Sequence, residues 1–177
     1  YCEDIRATNP CGEQPLPPYG ACLLGSINLA ALVKAPFTAE AALDEAELDR
    51  ILPLAVRMMD NVTDVSRFPL EAQRAEAEAK RRIGLGITGL ADALIMCGAR
   101  YGSDAAVALT ERWMARIRDG AYMASVGLAR EKGAFPLFDR ARYLAGEIAA
   151  ELPQEIRDAI AAHGIRDRKS TRLNSSH

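Results

Sequence analysis

An amide, a thiol and a carboxylate occupy alternate positions near the start of the chain, at Asn9, Cys11 and Glu13. In an extended segment, alternate side chains point the same way, so we expect the three groups to share one face. A hydrogen-bonding amide, a sulfur capable of one-electron chemistry and a base that meet at one point suit radical chemistry on a polyol. The sequence therefore indicates a reactive loop at this position.

The residues between and after these three groups favour an accessible loop. Pro10 biases Asn9 towards extended geometry, and Gly12 has no Cβ, so a ligand can approach its backbone closely. Three prolines within 15–18 then carry the chain rigidly to a second thiol, Cys22. We therefore count Cys22 with the reactive groups.

The remaining cysteines have a simpler interpretation. A free cysteine more often behaves as a small buried hydrophobe than as a catalyst, and we assign that packing role to Cys2 and Cys97. A packing cysteine does not need the amide and the carboxylate that flank Cys11. Only His163 and His177 could supply imidazole, and no closely spaced Cys and His ligands occur, so we expect no zinc site.

The loop resembles the active-site loop of ribonucleotide reductase large subunits. The run ATNPCGEQPLPPYGACLLGSINL, residues 7–29, is most similar to the adenosylcobalamin-dependent (class II) branch of that family. Three further stretches are similar to the same family, and the resemblance covers residues 1 to about 166. These stretches are 60–68, 81–92 and 131–138.

The resemblance implies a role for each reactive residue. Cys11 would become a transient thiyl radical that abstracts the 3′ hydrogen of the ribose, and Glu13 would act as general base on the 3′ hydroxyl. Asn9 would orient the sugar, and Cys22 would be one of two reducing thiols whose partner comes from an upstream strand. The substrate-binding residues would be Asn9, Pro10, Cys11, Gly12 and Glu13.

The same resemblance implies a cofactor and partners. These are adenosylcobalamin, a ribonucleotide substrate, a thioredoxin-type or small-thiol reductant and a homodimer of the full-length protein. Two alternatives remain open: a class I large subunit with a separate radical-generating subunit, and a non-catalytic helical interaction module with structural thiols. The short step from Cys11 to Cys22 favours cobalamin.

Composition narrows the partners further. The chain has 177 residues, 49% hydrophobic and 26% charged, with a formal net charge of −2, which is typical of a globular domain. The interspersed charges give no footprint for a nucleic acid polymer or a membrane surface. No apolar run approaches the roughly 20 residues that span a bilayer, so we expect a cytoplasmic protein.

Periodicity and end signals predict mostly helices. An apparent capping box at Asp44 and Glu47 opens the first, Pro53 should kink it, and we expect a charged, solvated second helix. The fold class that the resemblance implies is α/β, a mostly helical fragment of the ten-stranded ribonucleotide reductase barrel. The predicted helices are 45–65, 71–82, 89–97, 104–132 and 153–163, with strands near 22–28 and 83–88.

The glycines at 84, 86 and 89 match the dinucleotide-binding fingerprint letter for letter. A true fingerprint needs a strand, a helix and a downstream acid within one βαβ unit. A charged helix precedes these glycines, and the only suitable acid, Asp104, lies beyond another turn. We therefore expect close packing of a strand against a helix rather than a dinucleotide site.

Two segments are expected along the chain. Residues 1–166 would be part of the reductase catalytic barrel domain, with the cysteine loop and without the family's phosphate-binding loop, and inactive by itself. Residues 167–177 have no apolar period and resemble adaptor-derived sequence, so we expect a non-native, disordered tail.

Overall fold

The computed structural model describes residues 4–9, 12 and 14–169. Helices contain more of these residues than strands do, as the sequence predicts. The strands are β1 (Ala7–Thr8), β2 (Pro15–Leu16), β3 (Leu23–Asn28), β4 (Val33–Lys34), β5 (Ala42–Leu43), β6 (Arg82–Thr88) and β7 (Arg168–Lys169). The helices are α1 (Glu45–Val65), α2 (Glu71–Lys80), α3 (Leu90–Met96), α4 (Asp104–Lys132), α5 (Arg140–Leu144), α6 (Glu147–Ala150) and α7 (Gln154–His163), and a 3-10 turn covers Leu29–Leu32.

A parallel sheet in the order β3, β6, β7 forms the centre of the fold. Its main pair aligns Leu23 with Ile83 and continues to Asn28 beside Thr88. Each parallel step is bridged by helices, as parallel strands require: α1 and α2 lead from β3 to β6, and α3 to α7 lead from β6 to β7. Among the described residues the sheet does not close into a barrel.

Helices α1 and α4 cover the sheet and bury their apolar stripes in one core. Leu48, Leu52 and Val56 recur every four residues on α1 and are at most 1% exposed, and Trp113 of α4 is 1% exposed. This spacing matches the 3.6-residue helical period. A second, smaller core joins the end of α4 to α7 around Phe135.

Local end signals place the long helices as predicted. The Asp44 carboxylate accepts a hydrogen bond from the Glu47 backbone N–H at 3.1 Å, which caps α1. The reciprocal half of the capping box is replaced, because the Asp44 N–H donates to the Leu32 carbonyl at 2.7 Å. Ser103 caps α4, which ends at Gly133 with φ +85°.

The predicted charged helix differs from the observed one at its end. Helix α2 stops at Lys80, Arg81 adopts the left-handed region at φ +46°, and Arg82 begins β6. The expectation of a solvated charge run is wrong here, because Lys80, Arg81 and Arg82 are all at most 5% exposed. They are buried because the chain turns inward to join the sheet, whereas Glu71 and Arg74 face solvent.

The fingerprint glycines serve packing, as predicted. Gly84 lies within β6, where a Cβ would come 2.8 Å from Leu24 Cδ2. Gly89 precedes α3 at φ +68°, and its Cβ would come 2.5 Å from Asn28 Oδ1. That carboxamide oxygen accepts the Ala30 N–H and caps the 3-10 turn. Glycine is therefore needed at the crossing of β3 and α3.

The chain takes part in the fold for three residues beyond the expected boundary at 166. Asp167 is fully buried and accepts a hydrogen bond from the Ser125 hydroxyl at 2.8 Å. Arg168 and Lys169 then pair with Arg82 and Ile83. Residues 170–177 lie outside the described residues, so the expectation of a non-native, disordered tail stays a prediction there.

Within the described part of the chain, no helix combines the length and the apolar character that crossing a bilayer requires.

Candidate active-site loop

A short hairpin presents the predicted reactive loop. Strands β1 and β2 pair antiparallel, with Ala7 beside Leu16 and Thr8 beside Pro15. The Arg6 N–H donates to the Leu16 carbonyl at 3.0 Å, which extends the pairing beyond the strands. The two ends of the loop between β1 and β2 are therefore held next to each other.

Asn9 closes the base of this loop. Its backbone N–H donates to the Gln14 carbonyl at 3.0 Å, and its side-chain Oδ1 accepts the Gln14 N–H at 2.9 Å. The Asn9 carbonyl also accepts the Gly12 N–H at 2.9 Å. The amide predicted to orient a substrate thus also fixes the shape of the loop.

The loop turns where the sequence favoured an extended segment. The bond from Gly12 to Asn9 spans three residues, and Gly12 has φ +77° with open space where a Cβ would stand. The chain therefore reverses between Asn9 and Gln14, so these two described residues do not continue one extended strand. Pro10, Cys11 and Glu13 lie outside the described residues, so their shared face and their roles stay predictions.

A second turn brings the chain from the hairpin to Cys22. The Gly20 N–H donates to the Pro17 carbonyl at 3.0 Å, and a Cβ on Gly20 would come 2.8 Å from Pro17 Cδ. Tyr19 has φ +60° in the same turn. This tight turn, which only glycine fits, delivers Cys22 to the start of β3.

Cys22 is a half-buried cysteine beside a cavity of about 130 Å³. Thr63 and Ser66 of α1, together with Phe68 and Arg82, are among the residues that line this cavity. Cys97 differs: it packs against the main core, and burial raises the pKa of its thiol, which fits the predicted packing role.

A buried ionic network lies at the end of α1. Asp60 is fully buried, and its carboxylate accepts hydrogen bonds from Arg81 Nε at 2.9 Å, Lys132 Nζ at 2.7 Å and Arg166 Nε at 2.9 Å. Asp64, one turn later, also contacts Arg81, at 2.8 Å. Three cationic side chains therefore converge on two carboxylates.

The network keeps Asp60 ionised. Burial by itself raises the pKa of Asp60, but the hydrogen bonds from Lys132 and Arg81 and the positive charge of Arg81 outweigh it, so that the pKa lies below its usual range. Burial likewise works against the charge of Arg81, and Asp60 and Asp64 more than compensate, so that the pKa of Arg81 is raised. The network thus holds α1, β6 and the end of α4 together.

The family model of the ribonucleotide reductase barrel domain matches residues 1–173. The chain belongs to this family. The chain is 48% identical over 139 residues, 78% of its length, to a vitamin B12-dependent ribonucleoside-diphosphate reductase of Mycobacterium tuberculosis. It is 42% identical over 133 residues, 75% of its length, to a protein of the same name from Thermoplasma acidophilum.

More distant relatives carry a different name. A ribonucleoside-diphosphate reductase large subunit of African swine fever virus is 32% identical over 177 residues, 95% of the chain. The chain spans only 19%, 17% and 22% of these three relatives. The fold is accordingly a mixed α/β part of the reductase barrel domain.

The sequence indicated three stretches similar to the family but did not predict the ionic network that they form. Asp60, Arg81 and Lys132 belong to the three stretches 60–68, 81–92 and 131–138, and their side chains meet in the structure. A local signal did exist. Asp60 continues the apolar series of Leu52 and Val56 at four-residue spacing, and a carboxylate in such a series indicates a buried charge that needs partners.

Proposed function

We propose that the intact protein reduces ribonucleotides to 2′-deoxyribonucleotides by a thiyl-radical mechanism and so supplies precursors for DNA synthesis. The observation that carries this proposal is the 48% identity to a vitamin B12-dependent ribonucleoside-diphosphate reductase, over 78% of this chain. The aligned family domain includes the loop that carries Asn9, Cys11 and Glu13. The proposed activity is that of a vitamin B12-dependent ribonucleoside-diphosphate reductase.

The residues of the loop divide the chemistry among them. The Cys11 thiyl radical takes the hydrogen atom from the ribose 3′ carbon and becomes a thiol. Glu13 accepts the proton of the 3′ hydroxyl, which helps to expel the 2′ hydroxyl; that hydroxyl leaves as water with a proton from one of the reducing thiols. Asn9 holds the sugar in register; its bonds to Gln14 and Gly12 support this role, because they fix the amide at the base of the loop.

Cys22 is proposed to supply reducing equivalents. It gives up one electron and one proton, and its upstream partner cysteine gives up the same, so that a disulfide forms while the substrate is reduced. A thioredoxin-type or small dithiol then reduces that disulfide. The half-buried position of Cys22 next to a cavity supports this proposal, since the thiol is near the surface.

Adenosylcobalamin is proposed as the cofactor that generates the Cys11 radical. Vitamin B12 stands in the names of the relatives at 48% and 42% identity, whereas the viral large subunit is 32% identical. The cavity beside Cys22, at about 130 Å³, does not fit a corrin, because sites for drug-sized ligands already take roughly 300–1,000 Å³. We infer that parts of the protein outside the described residues hold the cofactor, and that the full-length enzyme is a cytoplasmic homodimer.

Substitution of the loop tests the proposal. In the intact protein, Cys11→Ser and Glu13→Gln should each abolish turnover and leave nucleotide affinity nearly unchanged, because both groups act on bonds that change in the transition state. Cys97→Ser, which alters a packing thiol, is the matched control and should keep activity. Deoxynucleotide formation and equilibrium nucleotide binding are measured with and without adenosylcobalamin.

Two results would contradict the proposal. Near-normal turnover by either loop variant would remove Cys11 or Glu13 from its role. Full activity without adenosylcobalamin, in the presence of a separate radical-generating subunit, would make the protein a class I large subunit.

A further inference from the structure

Cys22 immediately precedes β3, and Arg82 is the first residue of β6, the strand that pairs with it. The parallel register joins Leu23 to Ile83, and one step earlier it places Cys22 next to Arg82. Side chains alternate along a strand, so Arg82 shares a face of β6 with Gly84. A Cβ on Gly84 would come 3.7 Å from Cys22 Sγ, so the thiol lies over that face. Arg82 and Cys22 line the same cavity.

The two hydroxyl groups that line the cavity donate hydrogen bonds to carbonyls of α1. The Thr63 hydroxyl donates to the Met59 carbonyl at 3.2 Å, and the Ser66 hydroxyl donates to the Val62 carbonyl at 2.7 Å. Both hydroxyl protons therefore point back into α1. Among the described residues that line the cavity, Arg82 is the one with a charged side chain.

Burial strengthens the effect of this charge. Arg82 is only 5% exposed, and Phe68 and Ala77 add apolar surface to the cavity. Helix α2 brings further charges close to Arg82: Glu76 Oε1 lies 3.9 Å from Arg82 Nη1 and 2.5 Å from Lys80 Nζ. A guanidinium in a site of low polarity favours an anionic neighbour more strongly than it would in water.

We propose that Arg82 is a positioning residue that stabilises the thiolate of Cys22 and so makes Cys22 the leaving sulfur when the active-site disulfide is reduced. This inference rests on the proposed function, because it takes Cys22 as a reducing thiol. A thiolate of the external dithiol attacks the partner cysteine's sulfur, the S–S bond breaks, and its electron pair goes to Cys22. The second thiol of the reductant then resolves the mixed disulfide. A stabilised thiolate leaves faster, which directs the attack to the partner sulfur.

The test measures the ionisation of Cys22 in the reduced, intact protein. The rate at which iodoacetamide alkylates the Cys22 peptide is followed against pH by mass spectrometry. We expect a midpoint below the ordinary thiol value of about 8.5. Arg82→Gln should raise that midpoint by about one pH unit and slow alkylation at pH 7 by up to about tenfold, since only the thiolate reacts. Arg82→Lys should keep most of the effect.

Controls separate ionisation from unfolding and from catalysis. Arg74→Gln removes an exposed arginine of α2 and should change nothing, and the Cys97 peptide of each variant reports whether the core remains closed. A midpoint at or above about 8.5 in the unsubstituted protein overturns the proposal, and so does an unchanged midpoint in a folded Arg82→Gln protein. If Arg82→Gln opens the core, the pH profile of Cys22 alkylation in the unsubstituted protein and in Arg82→Lys decides whether the proposal stands. The alkylation profile does not depend on cobalamin-dependent turnover. Failure of the proposed reductase activity can therefore be told apart from failure of the proposed role of Arg82.

Discussion

Asp60→Asn should loosen the junction of α1 and β6, because it removes the buried charge that three cationic side chains share. The Asp60 carboxylate accepts from Arg81, Lys132 and Arg166 at 2.7–2.9 Å. Asparagine keeps the shape but places an amide where one of the carboxylate oxygens accepts. Breaking a buried ion pair by removing one partner costs about 3–5 kcal/mol. The remaining carboxylate, Asp64, is 42% exposed, so solvent screens its compensation.

Hydrogen exchange measures this loss locally in the intact protein. Amides of 60–66 and 82–88 should exchange roughly a hundred- to several-thousand-fold faster in Asp60→Asn, since about 1.4 kcal/mol corresponds to a factor of ten. The first half of α4, 104–115, serves as an internal reference. Asp64→Asn is the matched control and should change exchange far less, because the Asp64 carboxylate is itself 42% exposed. Exchange within about threefold of the unsubstituted protein at 60–66 would refute the argument, since a buried pair should cost more.

Three further predictions follow from other contacts. The pKa of Asp60 is lowered in the folded protein. Its contribution to stability is therefore present above the ordinary carboxyl pKa of about 3.9 and is lost as pH falls through the lower folded value. Acid titration of unfolding should show this loss, and Asp60→Asn should remove it. Gly89→Ala should destabilise the fold by about 2 kcal/mol, from left-handed strain and the displaced Asn28 cap. Gly98→Ala, at φ +71° with nothing within 4 Å, should cost only the strain of about 1 kcal/mol. Thermal unfolding compares the two variants, and equal losses of stability would contradict the crowding at Gly89. Cys22→Ala should bind substrate and still generate the cofactor radical but fail to sustain turnover with dithiothreitol, and a sustained rate would make Cys22 a packing residue.

The cysteine loop shows where sequence reasoning stopped. Alternation at 9, 11 and 13 predicts three reactive groups, and their roles stay predictions. The alternation did not predict that the chain reverses between Asn9 and Gln14, where Asn9 bonds to Gln14 and Gly12. Pairing of β1 with β2 decides that reversal, and the residue types alone do not show it.

The sequence by itself determined the long helices and both main strands. Asp44, Ser103 and Gly133 act within one helical turn of themselves, so their effect can be read from neighbours in the chain. The strands expected near 22–28 and 83–88 likewise match β3 and β6 to within a residue or so.

Only the tertiary structure decided which charges are buried. Asp60 meets Arg81, Lys132 and Arg166 across 21, 72 and 106 residues of chain, and Arg82 and Cys22 line one cavity only because β3 and β6 pair. Helical periodicity describes one face of one element, and it carries no information about which distant side chain will neutralise a charge on that face. The burial of these groups therefore follows from the packing of α1, α4 and the sheet, where a carboxylate is stable only if cations from other elements surround it.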